Sequence, residues 1–170
     1  MPNTFKARPT TDFAKESLFN ILTNVYIDFD EEPTALDLFG GTGGIGLEFV
    51  SRGCSRVISV EKDFKHFQFL LKTAHELNDS AWKPVHADVF KFITKCSMKF
   101  NIVFADPPYA LDKIADIPDL IFTNDILEEG GLLIVEHGKD NDFSAHPCLI
   151  DHRTYGSVNF SFFRKSSNLG

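Results

Sequence analysis

Short apolar runs alternate with amphipathic stretches along the chain, and the spacing of the apolar positions separates strands from helices. In residues 11–22, Ala14, Leu18 and Leu22 fall on one helical face. The same reasoning predicts helices at 45–52, 64–77, 89–95 and near 117–124, and strands at 34–39, 56–60, 84–86, 100–105 and 132–136, the last of them after a turn at Glu129-Gly130-Gly131. Such alternation is typical of βαβ units that build a parallel sheet with helices on both faces.

The last two apolar runs follow a different pattern. Residues 148–155 and 158–163 flank Gly156-Ser157, which leaves no room for a crossover helix, so they are predicted to pair as an antiparallel hairpin. We find no internal repeat, low-complexity tract or linker. The sequence therefore predicts one α/β domain over residues 1–170: a Rossmann-like, doubly wound, mostly parallel sheet with an antiparallel C-terminal hairpin and helices on both faces.

Composition narrows the functional class. The 170 residues are 43 % apolar and 24 % charged, which argues against a disordered or fibrous chain. No apolar run approaches the ~20 residues that span a bilayer, and the polar start lacks a secretory signal, so we expect a cytoplasmic protein without membrane contacts. The net charge of −7 means that any nucleic acid must be bound through a local basic patch or a partner. The Cys and His spacings predict neither disulfides nor a metal site.

A glycine-rich loop follows the first predicted strand. Residues 40–46 contain five glycines in seven positions, and glycine allows the backbone to turn tightly and to approach a ligand. The spacing Gly41-x-Gly43-x-x-Gly46, with Glu61 at the end of the second strand, also matches a dinucleotide-binding fingerprint. A dinucleotide-dependent oxidoreductase is therefore one alternative.

Acidic residues end three successive strands and favour a different cofactor. Asp37, immediately before the glycines, would repel a pyrophosphate but suits the ammonium group of a methionine moiety. Glu61 is placed for ribose hydroxyls and Asp88 for an adenine amino group, so the three acids together predict S-adenosylmethionine. Asp88 is also compatible with a purely structural role as a helix cap.

The most specific signal is Asp106-Pro107-Pro108-Tyr109, directly after the strand at 100–105. In a doubly wound sheet the strand order can reverse at this point, which leaves a crevice beside the first strand. The prolines stiffen the loop, so that the Asp106 carboxylate and a proline carbonyl are both presented as acceptors, and Tyr109 offers a flat face to a base. An aromatic amine is a poor nucleophile because its lone pair is delocalised, and two acceptors on its N–H groups stabilise the positive charge that develops during methyl transfer.

These motifs resemble class I methyltransferases that modify exocyclic amino groups and, more narrowly, the bacterial small-subunit ribosomal RNA guanine-N2 methyltransferase family, RsmD. The resemblance rests on matched segments in order: Arg8-Pro9-Thr10-Thr11-Asp12, Leu18-Phe19-Asn20-Ile21-Leu22, Leu36-Asp37-Leu38-Phe39, Gly41-Thr42-Gly43, Ser51-Arg52-Gly53 and Val60-Glu61-Lys62-Asp63, besides the Asp106 motif. It implies a seven-stranded sheet whose last strand is inserted antiparallel. It also implies methylation of a guanine 2-amino group in 16S ribosomal RNA, within the small subunit or its assembly intermediate, by a protein expected to be a monomer.

The resemblance also implies roles for individual residues. The cofactor-binding set is Asp37, Gly41, Thr42, Gly43, Glu61, Lys62, Asp88 and Val89. The target base is assigned to Asp106, Pro107, Pro108 and Tyr109. Candidates for contact with the cofactor or RNA are Arg8, Thr10 and Thr11, although the threonines could instead cap the first helix.

The N-terminus departs from the family pattern, and other functions stay open. Relatives usually carry a basic β-hairpin before the Arg-Pro-Thr-Thr segment, whereas here residues 1–10 form only a short extension, which puts unaided RNA binding in doubt. The Asp106 motif alone does not distinguish guanine from adenine, so an adenine-N6 methyltransferase acting on DNA or another RNA is an alternative. A non-catalytic, cofactor-binding assembly factor is a weaker one.

Overall fold

Seven strands form one sheet in the computed structural model, which describes residues 11–165. They are β1 (Thr34–Leu38), β2 (Arg56–Glu61), β3 (Trp82–His86), β4 (Phe100–Ala105), β5 (Leu127–His137), β6 (Leu149–Tyr155) and β7 (Val158–Arg164). Their order across the sheet is β3-β2-β1-β4-β5-β7-β6. β1 to β5 pair in parallel, and β7 lies antiparallel between β5 and β6. The predicted fold class, including the inserted antiparallel strand, is confirmed.

Five α-helices connect the parallel strands or precede them. They are α1 (Asp12–Ile21), α2 (Gly44–Ser51), α3 (Phe64–Leu77), α4 (Val89–Lys95) and α5 (Ile117–Thr123). α1 continues into a π-helical turn at Leu22–Tyr26, so its apolar stripe extends beyond the regular helix. Within residues 11–165, no helix has the length and apolar character needed to cross a bilayer.

The helices divide between the two faces of the sheet. α1, α2 and α3 pack on the face that carries Ala35, Phe104 and Ile134, whereas α4 and α5 pack on the opposite face, against Leu36 and Leu133. Both faces of the inner strands are therefore covered, which explains why these strands read as near-continuous apolar runs. Burying each large apolar side chain stabilises the fold by roughly 1.5–3 kcal/mol.

Two strands begin well before their predicted starts, whereas the other strand bounds agree with the prediction to within one residue. β3 begins at Trp82, two residues before its predicted start at Pro84, because the Trp82 side chain is buried in the core. β5 begins at Leu127, through residues that the sequence predicts as a turn. Gly130 adopts a φ of +77°, and the β4–β5 register shifts between Phe100 and Ile102. The glycines therefore bend the strand at an irregular step in the pairing and do not end it.

The strand order reverses between β1 and β4. β2 and β3 extend the sheet on one side of β1, and β4 to β7 extend it on the other. At such a reversal the loops after the two central strands diverge toward opposite faces and leave a crevice at their carboxyl ends. This crevice positions the candidate site.

Candidate functional site

Backbone hydrogen bonds beyond the strands hold the loops that border the crevice. The Gly40 N–H donates to the carbonyl of Val60 at 2.8 Å, which ties the glycine loop to β2. The Asp106 N–H donates to the carbonyl of Leu38 at 3.4 Å. This bond ties the segment Asp106-Pro107-Pro108-Tyr109, here called the proline loop, to β1. The two motifs with the strongest sequence signals therefore flank one opening.

Two glycines of the segment 40–46 pack so closely against the core that a side chain would not fit there. Gly43 has a φ of +95°, and a Cβ there would lie 2.8 Å from the Leu70 Cδ1. A Cβ on Gly46 would lie 2.6 Å from the Ser59 Oγ. Gly43 thus shapes the turn, and Gly46 lets α2 approach β2. Thr42 is half-buried between Gly41 and Gly43.

Asp37 is a buried acid at the base of the crevice, with a side chain supported by two further residues. The Ser59 hydroxyl donates to Asp37 Oδ2 at 3.0 Å, and the Trp82 indole N–H donates to Ser59 Oγ at 3.0 Å. Burial raises the pKa of Asp37 to about 7, helped by the nearby Glu61 carboxylate and opposed by the hydrogen bond from Ser59. Its charge therefore depends on what binds beside it near neutral pH.

Glu61 links two loops through its carboxylate. The Gly41 N–H donates to Oε1 at 2.7 Å, and the Asp63 N–H donates to Oε2 at 2.8 Å. His66 Nδ1 lies 3.9 Å from Oε2. Each carboxylate oxygen has two lone pairs, so Glu61 can hold the glycine loop and still accept from ribose hydroxyls.

Asp88 takes the capping role that the sequence allows, and it also lies beside a lysine. Its Oδ1 caps α4 by accepting from the N–H groups of Phe90 and Lys91 at 2.9 and 3.2 Å, while Oδ2 lies 3.6 Å from Lys62 Nζ. Burial opposes ionisation of Asp88, but these two amides and Lys62 outweigh it and hold its pKa below the usual value. Val89, the first residue of α4, is buried.

Of the three N-terminal candidates, the structure describes Thr11 alone. Thr11 caps α1, since its Oγ1 accepts from the Ala14 N–H at 3.1 Å. Arg8 and Thr10 lie outside the described residues. α1 also brings Lys15 to the glycine loop, where its Nζ lies 3.7 Å from the position that a Cβ on Gly44 would take. A cation therefore stands at the start of α2.

The proline loop leaves β4 and presents its residues to different surroundings. Pro107 is buried and Pro108 is exposed. The Leu111 N–H donates to the Pro108 carbonyl at 2.9 Å, so the Pro107 carbonyl is the better candidate to accept from a substrate. The Tyr109 ring packs on Gly138, where an added Cβ would lie 3.1 Å from the ring. The loop is thus held by contacts with the segment after β5.

Glu136 is a candidate site residue that the sequence analysis missed. It lies near the carboxyl end of β5, is only 3 % exposed, and accepts from the Tyr109 hydroxyl at 3.4 Å. The sequence does contain a signal for this residue. Glu136 is an acid directly after the apolar run Leu132–Val135, as the other candidate acids are at the ends of their strands.

A cavity of about 810 Å³ opens beside Tyr109. Its walls are Tyr109, the segment after β5 and the polar residues of β6 and β7, among them His152, Thr154 and Asn159. This volume falls within the range of small-molecule and nucleotide pockets. Among the described residues, no group of three or more His, Cys, Asp or Glu side chains is arranged to hold a metal ion.

Comparisons with known proteins place the chain in a family. The model of the family described as "Conserved hypothetical protein 95" matches residues 1–164. The putative rRNA methyltransferase YlbH of Bacillus subtilis is 33 % identical, with 93 % of this chain and 88 % of that protein covered. Ribosomal RNA small subunit methyltransferase D of Escherichia coli is 29 % identical, over 98 % of this chain and 84 % of that one.

A solved structure agrees with these sequence matches. A putative methyltransferase, yhhF, from Escherichia coli superposes with a TM-score of 0.83 at 28 % identity, covering 98 % of this chain and 91 % of that chain. The fold and the family resemblance predicted from the motifs are both confirmed. The chain belongs to the family of ribosomal RNA small subunit methyltransferase D.

Proposed function

We propose that this protein transfers a methyl group from S-adenosylmethionine to the exocyclic 2-amino group of a guanine in 16S ribosomal RNA of the small subunit or its assembly intermediate. The observation that carries the proposal is the placement of the Asp106 motif across the crevice from the glycine loop and Asp37. Family membership supports a methyltransferase acting on ribosomal RNA, and the relatives named above support the small subunit.

Membership of a methyltransferase family supports S-adenosylmethionine, the cofactor that the sequence predicts. The residues present fit it. The buried Asp37 can pair with an ammonium group, and close packing of Gly43 against Leu70 and Trp82 fixes the turn of the glycine loop beside it. We assign the ribose hydroxyls to Glu61, the adenine amino group to Asp88 and the methionine carboxylate to Lys15. The other residues that we assign to the cofactor site are Thr42, Lys62 and Val89.

Catalysis requires two acceptors and a flat surface from the chain. The Asp106 carboxylate and the Pro107 carbonyl each accept one N–H of the target amine, which localises its lone pair on nitrogen. Tyr109 orients the base. When bound, S-adenosylmethionine supplies a methyl group on a positively charged sulfur. Asp106 would also accept the proton that the target nitrogen releases when it is methylated.

The test is transfer of labelled methyl to small ribosomal subunits that lack the modification, with free ribosomal RNA and duplex DNA in parallel. We expect label in guanine of subunit RNA and none with Asp106→Ala. Label only in adenine would favour the adenine-N6 alternative. Binding of S-adenosylmethionine without transfer to any of the three substrates would contradict the proposal and favour the assembly-factor alternative.

A further inference from the structure

Glu136 is a buried carboxylate beside the proline loop, and the methyl transfer itself does not need it. The β4–β5 register pairs Ala105 with Val135, so Asp106 and Glu136 come next at neighbouring positions on the two strands. Along β5, Glu136 alternates onto the same face as Ile134, the face that also carries Asp37. Glu136 therefore lies on the same face of the sheet as Asp37, next to the loop to which we assign the target amine.

A carboxylate can accept from the Tyr109 hydroxyl and from further donors at the same time. The Tyr109 hydroxyl donates to Oε2 at 3.4 Å, which is long for an O–H···O hydrogen bond. An ionised carboxylate offers about four acceptor positions. Glu136 can therefore accept from a base that is oriented by Tyr109.

The chemistry of the bases then separates guanine from the others. In guanine the ring nitrogen beside the reactive amino group, N1, carries a hydrogen and donates. In adenine and cytosine the ring nitrogen beside the amino group carries a lone pair, which a carboxylate repels. A buried acid next to the amine site thus favours guanine and disfavours the other two bases, and it does so by repulsion as well as attraction.

We propose that Glu136 is the specificity-determining residue that accepts the N1–H of the target guanine. The inference rests on the proposed guanine-N2 function and extends it, because the Asp106 motif serves any exocyclic amine whereas Glu136 selects the base. Glu136 would contact the substrate directly, in addition to orienting Tyr109.

The test compares guanosine with 2-aminopurine at the methylated position of small subunits reconstituted with RNA ligated from a synthetic fragment. 2-Aminopurine keeps the 2-amino group and replaces the N1–H by a lone pair. We expect the wild-type protein to prefer guanosine in kcat/KM by at least about tenfold, since a site built to accept a hydrogen bond rejects an analogue that lacks the donor. Glu136→Gln should reduce this preference to within about threefold, because an amide can donate as well as accept.

Tyr109→Phe is the matched control, since it removes the hydrogen bond to Glu136 and leaves the carboxylate in place. It should keep the preference for guanosine. If it lowers the preference as far as Glu136→Gln does, Glu136 acts only through Tyr109 and the inference is wrong. Glu136→Asp keeps the charge and should retain the preference even if Glu136→Gln is too slow to measure, and its loss there would also overturn the inference.

Two further readouts separate the possible failures. The dissociation constant for S-adenosylmethionine should stay within about twofold of wild type in all three variants, which shows that they are folded. Wild-type methylation of adenine in place of guanine would refute the proposed function and this inference together. Wild-type methylation of guanine with no change of preference in Glu136→Gln would refute the inference alone.

Discussion

The two halves of the carboxyl edge of the sheet are built differently. On the side of β1 to β3, side chains already hold the loops, as Glu61 does with Gly41 and Ser59 does with Asp37. On the side of β4 to β7, Tyr109 borders a cavity of about 810 Å³ whose other walls come from the segment after β5 and from β6 and β7. The first half is pre-organised for a ligand of fixed shape, and the second leaves room for part of a macromolecule.

This difference implies that cofactor binding and catalysis can be disrupted separately. A change in the β1–β3 half should weaken S-adenosylmethionine binding first. A change in the β4–β7 half should reduce transfer and leave cofactor affinity nearly unaltered. Substitutions at four positions test this division.

Asp106→Ala is expected to have the largest effect. It removes one of the two acceptors for the target amine, so transfer should fall by at least about 10²-fold, as for other groups that act mainly in the transition state. The dissociation constant for S-adenosylmethionine, measured by calorimetry, should change less than twofold. Asp106→Asn keeps one acceptor oxygen, so its rate of transfer should lie between those of the wild type and Asp106→Ala. Near-normal turnover of Asp106→Ala would rule out the amino-group mechanism.

Glu61→Ala should show the opposite behaviour. It removes the acceptor for the Gly41 and Asp63 amides and the proposed partner of the ribose, so the dissociation constant should rise by about 10- to 100-fold. At saturating cofactor much of the turnover should return. An unchanged affinity would mean that the glycine loop is held without Glu61.

Asp37→Asn tests the buried acid through pH. Its pKa of about 7 lies above the ordinary 3.8, so the unfolded chain loses this proton first and the folded state loses stability as pH rises from about 4 to about 7. The displacement corresponds to on the order of 4 kcal/mol. Asp37→Asn should abolish this loss, as measured by urea unfolding at several pH values. A wild-type stability that is flat over this range would contradict the assignment.

The same substitution should change the pH dependence of cofactor affinity. In the wild type, affinity should rise as Asp37 ionises near pH 7 and fall above about pH 8, where an α-amino group loses its proton. Asp37→Asn should bind about tenfold more weakly near pH 7.5 and lack the rise at the acidic end. A rise that persists in the variant would assign it to another group.

Asp88 should give the smallest effect and separates capping from recognition. Asp88→Asn can still cap α4, so the free energy of unfolding should stay within about 0.5 kcal/mol, whereas Asp88→Ala should lose about 1 kcal/mol. Both variants should weaken S-adenosylmethionine binding several-fold. Ala has no acceptor for the adenine amino group, and the amide nitrogen of Asn would place a second donor against it. Unchanged binding in Asp88→Asn would leave Asp88 as a cap alone.

Sequence analysis predicts site residues best where glycine or proline directly follows the end of a strand. The glycines after Asp37 and the prolines after Asp106 mark positions where the backbone must turn, so the neighbouring acids can be located without knowing the fold. Glu136 has no such punctuation beside it. Its relation to Asp106 depends on the β4–β5 register, which no local pattern reveals.

Other features depend on contacts between distant segments. The raised pKa of Asp37 comes from burial and from the Glu61 carboxylate, against the opposing hydrogen bond from Ser59, and both residues lie more than 20 positions away in the chain. The capping by Asp88 is local and was therefore foreseeable, but its side-by-side placement with Lys62 was not. The cavity beside Tyr109 is assembled from three separate segments, so its existence could not be read from spacing.

The measurement that tests the central claim most directly is the identity of the methylated nucleoside. Small subunits labelled by the wild-type protein are digested to nucleosides and compared with standards by chromatography and mass spectrometry. The account predicts N2-methylguanosine, absent when Asp106→Ala replaces the wild type. N6-methyladenosine or N4-methylcytosine as the labelled product would contradict it, because the carboxylate of Glu136 would then face a lone pair.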